Sequence, residues 1–177
     1  LYRDIELEAT PDARIDYAWV RGDFDQKTAE IHATVASAQG KSLQRPVLRV
    51  SIKTVDGSPA GEGSQDIVLD DPSGMKEVAV RVALTNFQAW SLESPKLYLA
   101  DIVLMDQGKP VHGWVERFGM RKFEVRGDRF YFNNKPFFVR GYGDDFVYPI
   151  TLVSPASRVE HLRHLKLARE AGFVYVR

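Results

Sequence analysis

The chain has 177 residues, and its 24 Lys and Arg balance its 24 Asp and Glu to a formal net charge of zero. With no basic surplus to neutralise phosphates, a nucleic-acid partner is not expected, and no apolar run reaches the roughly 20 residues that cross a bilayer as a helix, so no membrane partner is expected either. The absence of cysteine excludes disulfides and thiolate metal sites. It leaves the compartment open, because such chains suit the cytoplasm and an exported bacterial protein alike.

The first residues, LYRDIELEA, alternate in polarity. They lack an initiator Met, a basic n-region and a signal-type apolar core, and so read as an internal cut point. IDYAWVRGDFD places Ile15, Tyr17 and Trp19 on one face, and TAEIHATVAS does the same for Ile31, Ala33 and Val35. PVLRVSIKTV sets Leu48, Val50, Ile52 and Thr54 opposite Val47, Arg49, Ser51 and Lys53. SQDIVLD, KEVAVRVALT and KLYLADIVLMD follow the same alternation. Turn signals separate the runs at Arg21-Gly22-Asp23, Gln39-Gly40-Lys41, Asp56-Gly57-Ser58-Pro59, Pro72-Ser73-Gly74 and Gln107-Gly108-Lys109. A period of two with one apolar face means half-buried strands. About seven of them, regularly punctuated, predict an antiparallel two-sheet β-sandwich over residues 1–118.

Over 119–177 the pattern changes. RKFEVRGDRFYFNNKPFFVRGYG holds strands broken at Arg126-Gly127-Asp128 and Asn133-Asn134-Lys135, and the Asn pair, able to adopt positive φ, predicts a tight hairpin. In PASRVEHLRHLKLAREAGFVYVR, Ser157 and Glu160 form a capping box that opens a helix. Leu162, Leu165, Ala168 and Ala171 share one face of it, and Gly172 supplies its C-terminal stop. The apolar FVYV then starts a strand of the kind buried on both faces. Strand, helix and strand make a βαβ unit of a parallel sheet. One unit lacks neighbours, and a closed eight-stranded barrel needs roughly 250 residues. The sequence therefore predicts a sandwich followed by the opening portion of a larger α/β domain. Apolar surface left open on such a portion favours dimerisation or strand exchange, so a homo-oligomer is compatible with it.

Several of these stretches resemble one family in the same order. WSLESPKLYLADIVLMD is similar to the Trp-Ser-Pro-Leu-Tyr strand of the immunoglobulin-like domain of glycoside hydrolase family 2, which includes β-galactosidases, β-glucuronidases and β-mannosidases. ERFGMRKFEV resembles its Phe-Gly-x-Arg linker strand. FYFNNKPFFVRGYGDD resembles its Asn-Gly-Lys-Pro hairpin and first barrel strand, and HLKLAREAGFVYVR its first barrel helix and second strand. LYRDIEL resembles the seam with a preceding jelly roll. The resemblance is strongest over 88–177. It implies a mainly β chain carrying an immunoglobulin-like antiparallel β-sandwich and the first βαβ portion of a truncated TIM (β/α)8 barrel. Its partners would be a carbohydrate substrate and the jelly-roll and remaining barrel segments of the same protein.

Glycoside hydrolysis uses two carboxyl groups flanking the scissile bond. Asp144 and Asp145 are adjacent, and neighbours in an extended segment point to opposite sides, so they are poorly placed as that pair. The resemblance implies instead two catalytic glutamates from later barrel strands, outside this chain. No catalytic residue is therefore assigned here, and the isolated chain is expected to be inactive. Asp144 and Asp145 follow the first barrel strand at the face where barrel enzymes place their sites, and the family's His-Glu type loop there reads Gly141-Tyr142-Gly143-Asp144-Asp145 without a histidine. Carboxylates accept charge-assisted hydrogen bonds from neutral sugar hydroxyls, which favours a galactoside-like sugar over a uronate. Asp144, Asp145 and Arg177, which ends the second strand, are the substrate-contact candidates. Arg140 is assigned a structural role.

His161 and His164, three residues apart on the predicted helix, lack the His-Glu-x-x-His order and read as a solvated face. His32 and His112 read as strand-surface residues, and Trp19 and Trp90 as core or interdomain contacts. No pattern points to an organic cofactor. Some members of the family use Mg²⁺ or Na⁺ near the site, but no metal ligands stand out here. The alternative to an enzyme segment is a carbohydrate-binding or scaffold sandwich. A binding module would carry two or three coplanar Trp or Tyr rings on one solvent face, drawn from Tyr17, Trp19 and Trp90.

Overall fold

The computed structural model describes residues 7, 9–37, 43–68, 74–144, 148 and 157–177. Most of the expected first strand, the Gln39-Gly40-Lys41 turn, Pro72-Ser73 and Asp145 lie outside the described residues. The chain is mainly β and folds as two compact units, one ending at Lys122 and one running Phe123–Arg177.

In the first unit, β1 (Ala13–Asp23), β2 (Thr28–Ser37), β3 (Pro46–Thr54), β4 (Pro59–Asp66), β5 (Met75–Ala83), β6 (Tyr98–Asp106) and β7 (Lys109–Phe118) form two antiparallel sheets. Their orders are β1-β2-β5 and β4-β3-β6-β7. The alternation predicted for β2 and β3 is the burial observed: Ile31, Ala33 and Val35 from one sheet, and Leu48, Val50 and Ile52 from the other, enter one shared core with Ile102 and Leu104. Two sheets facing each other across such a core make a β-sandwich. Each fully buried large aliphatic side chain contributes about 1.5–3 kcal/mol.

The structure departs from the alternation at three places. The first is a β-bulge in β1 between Ile15 and Tyr17, where Ile15 pairs with Val35 but Tyr17 with Thr34. The extra residue turns the strand over. Ile15 and Ala18 are buried while Tyr17 is 58% and Trp19 37% exposed, so Ile15, Tyr17 and Trp19 do not share a face. Secondly, Arg21-Gly22-Asp23 is not a turn but the end of β1, and the reversal comes at 24–27. At Gly22 a Cβ would lie 2.8 Å from the Met120 sulfur, so a larger residue there would have to displace that side chain. Thirdly, the strand expected in SQDIVLD begins earlier, at Pro59. Its positions facing the other sheet are Gly61 and Gly63, where a Cβ would lie 2.6 Å from the Ala83 carbonyl oxygen and 3.1 Å from Val80 respectively. That close approach demands glycine at position 61 and leaves little room at 63, and two glycines hide the strand from an apolar pattern.

Strand β7 carries no readable alternation, because Pro110, His112 and Gly113 interrupt it. His112 has a structural task rather than a surface one: its Nδ1 accepts the Ile15 backbone N–H at 3.2 Å, beside the bulge. Tyr98, fully buried, donates its hydroxyl to the Asn86 carbonyl at 2.7 Å and accepts the Gln88 N–H. Burial pushes its phenol above the ordinary value. Trp90 lies over Gly119, where a Cβ would be 2.9 Å from the indole, and Arg121 stacks on the same ring. Trp90 is thus half-buried within the first unit, beside the exit of the chain from β7.

In the second unit, β8 (Phe123–Arg126), β9 (Arg129–Phe132) and β10 (Lys135–Phe137) form a meander in the order β10-β9-β8. Asn133 and Asn134, at φ 49° and 65°, make the predicted tight turn between Phe132 and Lys135. β11 (Gly141–Tyr142), α1 (Arg158–Glu170) and β12 (Tyr175–Val176) follow, with β11 and β12 paired in parallel. Ser157 caps α1 as predicted, although its hydroxyl takes the Val159 N–H at 3.2 Å. At the other end Gly172, at φ 82°, closes a Schellman motif: its N–H bonds to the Arg169 carbonyl and that of Phe173 to the Ala168 carbonyl.

Candidate functional site

The pairing of β11 with β12 fixes two of the three substrate-contact candidates next to each other. Gly141 sits opposite Tyr175, whose ring would be 2.8 Å from a Cβ at position 141. The ladder continues past the strands: Arg177 N–H donates to the Tyr142 carbonyl and Asp144 N–H to the Arg177 carbonyl, each at 3.1 Å. Asp144 and Arg177 therefore lie side by side at the C-terminal ends of two parallel strands. The Arg177 side chain is exposed. Asp145 lies outside the described residues. Arg140 accepts the Val174 and Tyr175 N–H groups on its carbonyl, and its guanidinium lies 3.3 Å from where a Cβ of Gly172 would be. Its contacts thus secure the turn between α1 and β12.

The Asp144 carboxylate is only 16% exposed and is gripped from its own loop and from α1. Tyr148 donates its hydroxyl to Asp144 Oδ2 at 2.9 Å. The same hydroxyl lies 3.1 Å from His164 Nδ1, and that nitrogen is 3.6 Å from Asp144 Oδ2. The hydrogen bond to Asp144, then partial burial, raise the Tyr148 phenol above its ordinary value, so it remains a donor at neutral pH. Around the trio the Tyr142 ring packs 5.7 Å from the His164 ring and 5.3 Å from Phe173, and His161 meets the edge of Tyr148 at 6.5 Å.

The histidines of α1 are accordingly not a solvated face. His161, His164 and Ala168 are its half-buried residues, whereas Leu162 and Leu165, expected to face inward, are each 50% exposed. Sequence reading did not connect Tyr148 and His164 with Asp144. Two histidines three apart on the first helix after the loop were the available signal, but their partner Tyr148 lies sixteen residues away from His164 and only the fold joins them. Among the described residues no group of three His, Asp or Glu side chains is arranged to hold a metal.

The first unit offers a second polar surface, on the outer face of β1-β2-β5. Trp19 is stacked on His32, with ring centroids 4.0 Å apart and planes 2° from parallel. Next to this pair Glu30 is bonded to Arg21 on one neighbouring strand and lies 3.7 Å from Arg81 on the other. The Arg21 hydrogen bond is the main reason the Glu30 carboxyl is held below its usual range. Tyr17 meets Trp114 edge-on, at 74°. Trp19 is covered by His32, and Trp90 by Gly119 and Arg121. None of these rings forms the coplanar exposed platform that a sugar-binding sandwich requires. The Trp19 indole is an outer-face residue rather than a core one.

A family model described as glycosyl hydrolases family 2 matches residues 13–121. A β-galactosidase of Pseudoalteromonas haloplanktis is 26% identical over 172 residues, covering 94% of this chain and 17% of the relative. A glycosyl hydrolase family 2 member from Bacteroides cellulosilyticus superposes with a TM-score of 0.78 at 20% identity, over 95% of this chain and 22% of that one. A β-glucuronidase from Ruminococcus gnavus does so with a TM-score of 0.70 at 19% identity, over 94% of this chain and 26% of that one. The chain thus spans less than a third of the length of each of these proteins.

Proposed function

The chain belongs to glycosyl hydrolases family 2, and from that membership we propose that it is the central segment of a retaining glycoside hydrolase of β-galactosidase type. In this reading the sandwich supports a (β/α)8 barrel whose first strand, helix and second strand are β11, α1 and β12. The reaction would run through two glutamates on later barrel strands, one as nucleophile and one as acid/base, spaced about 5–5.5 Å as retention requires. Asp144, Asp145 and Arg177 would line the sugar site. A carboxylate there accepts hydrogen bonds from neutral hydroxyls and repels a uronate, which favours a galactoside. The half-exposed Leu162 and Leu165 would be covered by the remaining barrel helices.

The observation that carries this reading is Asp144: a largely buried carboxylate, held by Tyr148 and beside His164, just past the C-terminal end of β11, and barrel enzymes build their sites at that end of their strands. The test compares the full-length protein with the isolated 177-residue chain on an aryl β-galactoside. Full-length protein should release the aglycone and give a product of retained configuration, and the isolated chain should give no turnover. Hydrolysis by the isolated chain, or a full-length protein that cleaves aryl β-glucuronides but not galactosides, would overturn the corresponding part of the reading.

A further inference from the structure

We infer that Tyr148 and His164 are positioning residues that hold the Asp144 carboxylate as a fixed acceptor for a sugar hydroxyl, with His164 in its Nδ1–H form. The inference rests on the reading that Asp144 faces the sugar.

The assignment follows from counting protons. Tyr148 has one hydroxyl proton, and the 2.9 Å contact to Asp144 Oδ2 uses it, since an ionised carboxylate only accepts. The phenol oxygen is then an acceptor toward His164. A 3.1 Å contact between that oxygen and Nδ1 is a hydrogen bond only if Nδ1 carries the hydrogen. The relay therefore runs in one direction, from imidazole to phenol to carboxylate. Each donor is polarised by the acceptor beyond it. The same Nδ1 lies 3.6 Å from Asp144 Oδ2, so its N–H dipole also favours the charged carboxylate.

Three features set this apart from a simple loop fastening. The relay ends on a carboxylate at the strand end instead of on a backbone group. It draws on two separate places in the chain, so the Tyr148 hydroxyl that bonds the carboxylate is itself held from α1 by His164. Finally, the rings are themselves braced, Tyr148 by His161 and His164, and His164 by Tyr142. A binding carboxylate held in this way loses little rotamer freedom when a sugar arrives.

The experiment is a mutant cycle in the full-length protein, with kcat and KM measured on an aryl galactoside and each variant checked for an unchanged unfolding temperature. Tyr148→Phe keeps the ring and removes the hydroxyl. We expect KM to rise about tenfold with kcat within about twofold, the lower end for loss of a hydrogen bond to a charged group. In an Asp144→Asn background the same change should add less than about twofold, because the group it positions is gone. His164→Asn, whose amide N–H can stand in for Nδ1–H, should retain most of the KM that His164→Leu loses. A strong Asp144→Asn defect with a neutral Tyr148→Phe would overturn this inference and leave the sugar-contact reading standing. Equal Tyr148→Phe effects in both backgrounds would reduce the relay to a loop fastening. A neutral Asp144→Asn would overturn the sugar-contact reading and this inference together.

Discussion

The sandwich and the Phe123–Arg177 segment use the same local devices and differ in what their side chains cover. In β2 and β6 nearly every second residue is buried. After Met120 no described residue is buried at all. The aromatic side chains of the meander pack on one another, Phe123 stacked on Phe130 and Phe132 tilted against Phe137, and yet Phe123 and Phe130 stay substantially exposed. Helix α1 has an N-cap, a Schellman stop and a polar face, but no buried residue. Caps and turns specify where elements begin and end. Burial is what stabilises them, since a 13-residue helix is marginal without packing.

The contrast can be tested by substitution in the 177-residue chain, followed by urea unfolding. The three tryptophans, Trp19, Trp90 and Trp114, all lie in the sandwich and report on it, and far-ultraviolet circular dichroism reports on α1. Ile102→Ala empties a fully buried position between the sheets and should lower sandwich stability by about 2–5 kcal/mol. Gly61→Ala forces a methyl against the Ala83 carbonyl oxygen and should cost about 1–3 kcal/mol. Leu165→Ala on α1 should change stability by less than about 0.5 kcal/mol, as at an ordinary surface position. A Leu165→Ala loss comparable to that of Ile102→Ala would dissolve the distinction between the two regions. An unaffected Gly61→Ala protein would mean that the sheets yield at β4 instead of pressing together.

Where one residue decides its own environment, the sequence was readable. Ile31 and Val35 announce β2, Asn133-Asn134 announces its hairpin, and Ser157 and Gly172 bracket α1. Where environment depends on a distant backbone, it was not. The bulge at Asp16 has no composition of its own, yet it reverses the faces of Tyr17 and Trp19. Gly61 and Gly63 look like loop residues until Val80, Val82 and Ala83 are seen to press on them. His112 looks like a surface residue until its partner, the Ile15 N–H, is known, 97 positions away in sequence. At the candidate site the strand–helix–strand order made legible that residues 144 and 177 follow two parallel strands, and they are neighbours there. Tyr148 and His164 were not legible, because they gain meaning only from the bonds that join them.

The charges across β1-β2-β5 have a consequence for folding fidelity. Apolar alternation repeats every two residues, so it cannot tell the native strand pairing from one displaced by two. The ladder Arg21–Glu30–Arg81 can. In one such displacement of β1 against β2, Asp23 would come opposite Glu30, placing like charges together. In the other, Arg21 would face Thr28 and lose its carboxylate. Displacing β5 by two in either direction would put an alanine, Ala79 or Ala83, opposite Glu30. The core thus rejects odd errors of alignment, and a half-buried glutamate between two exposed arginines rejects the even ones.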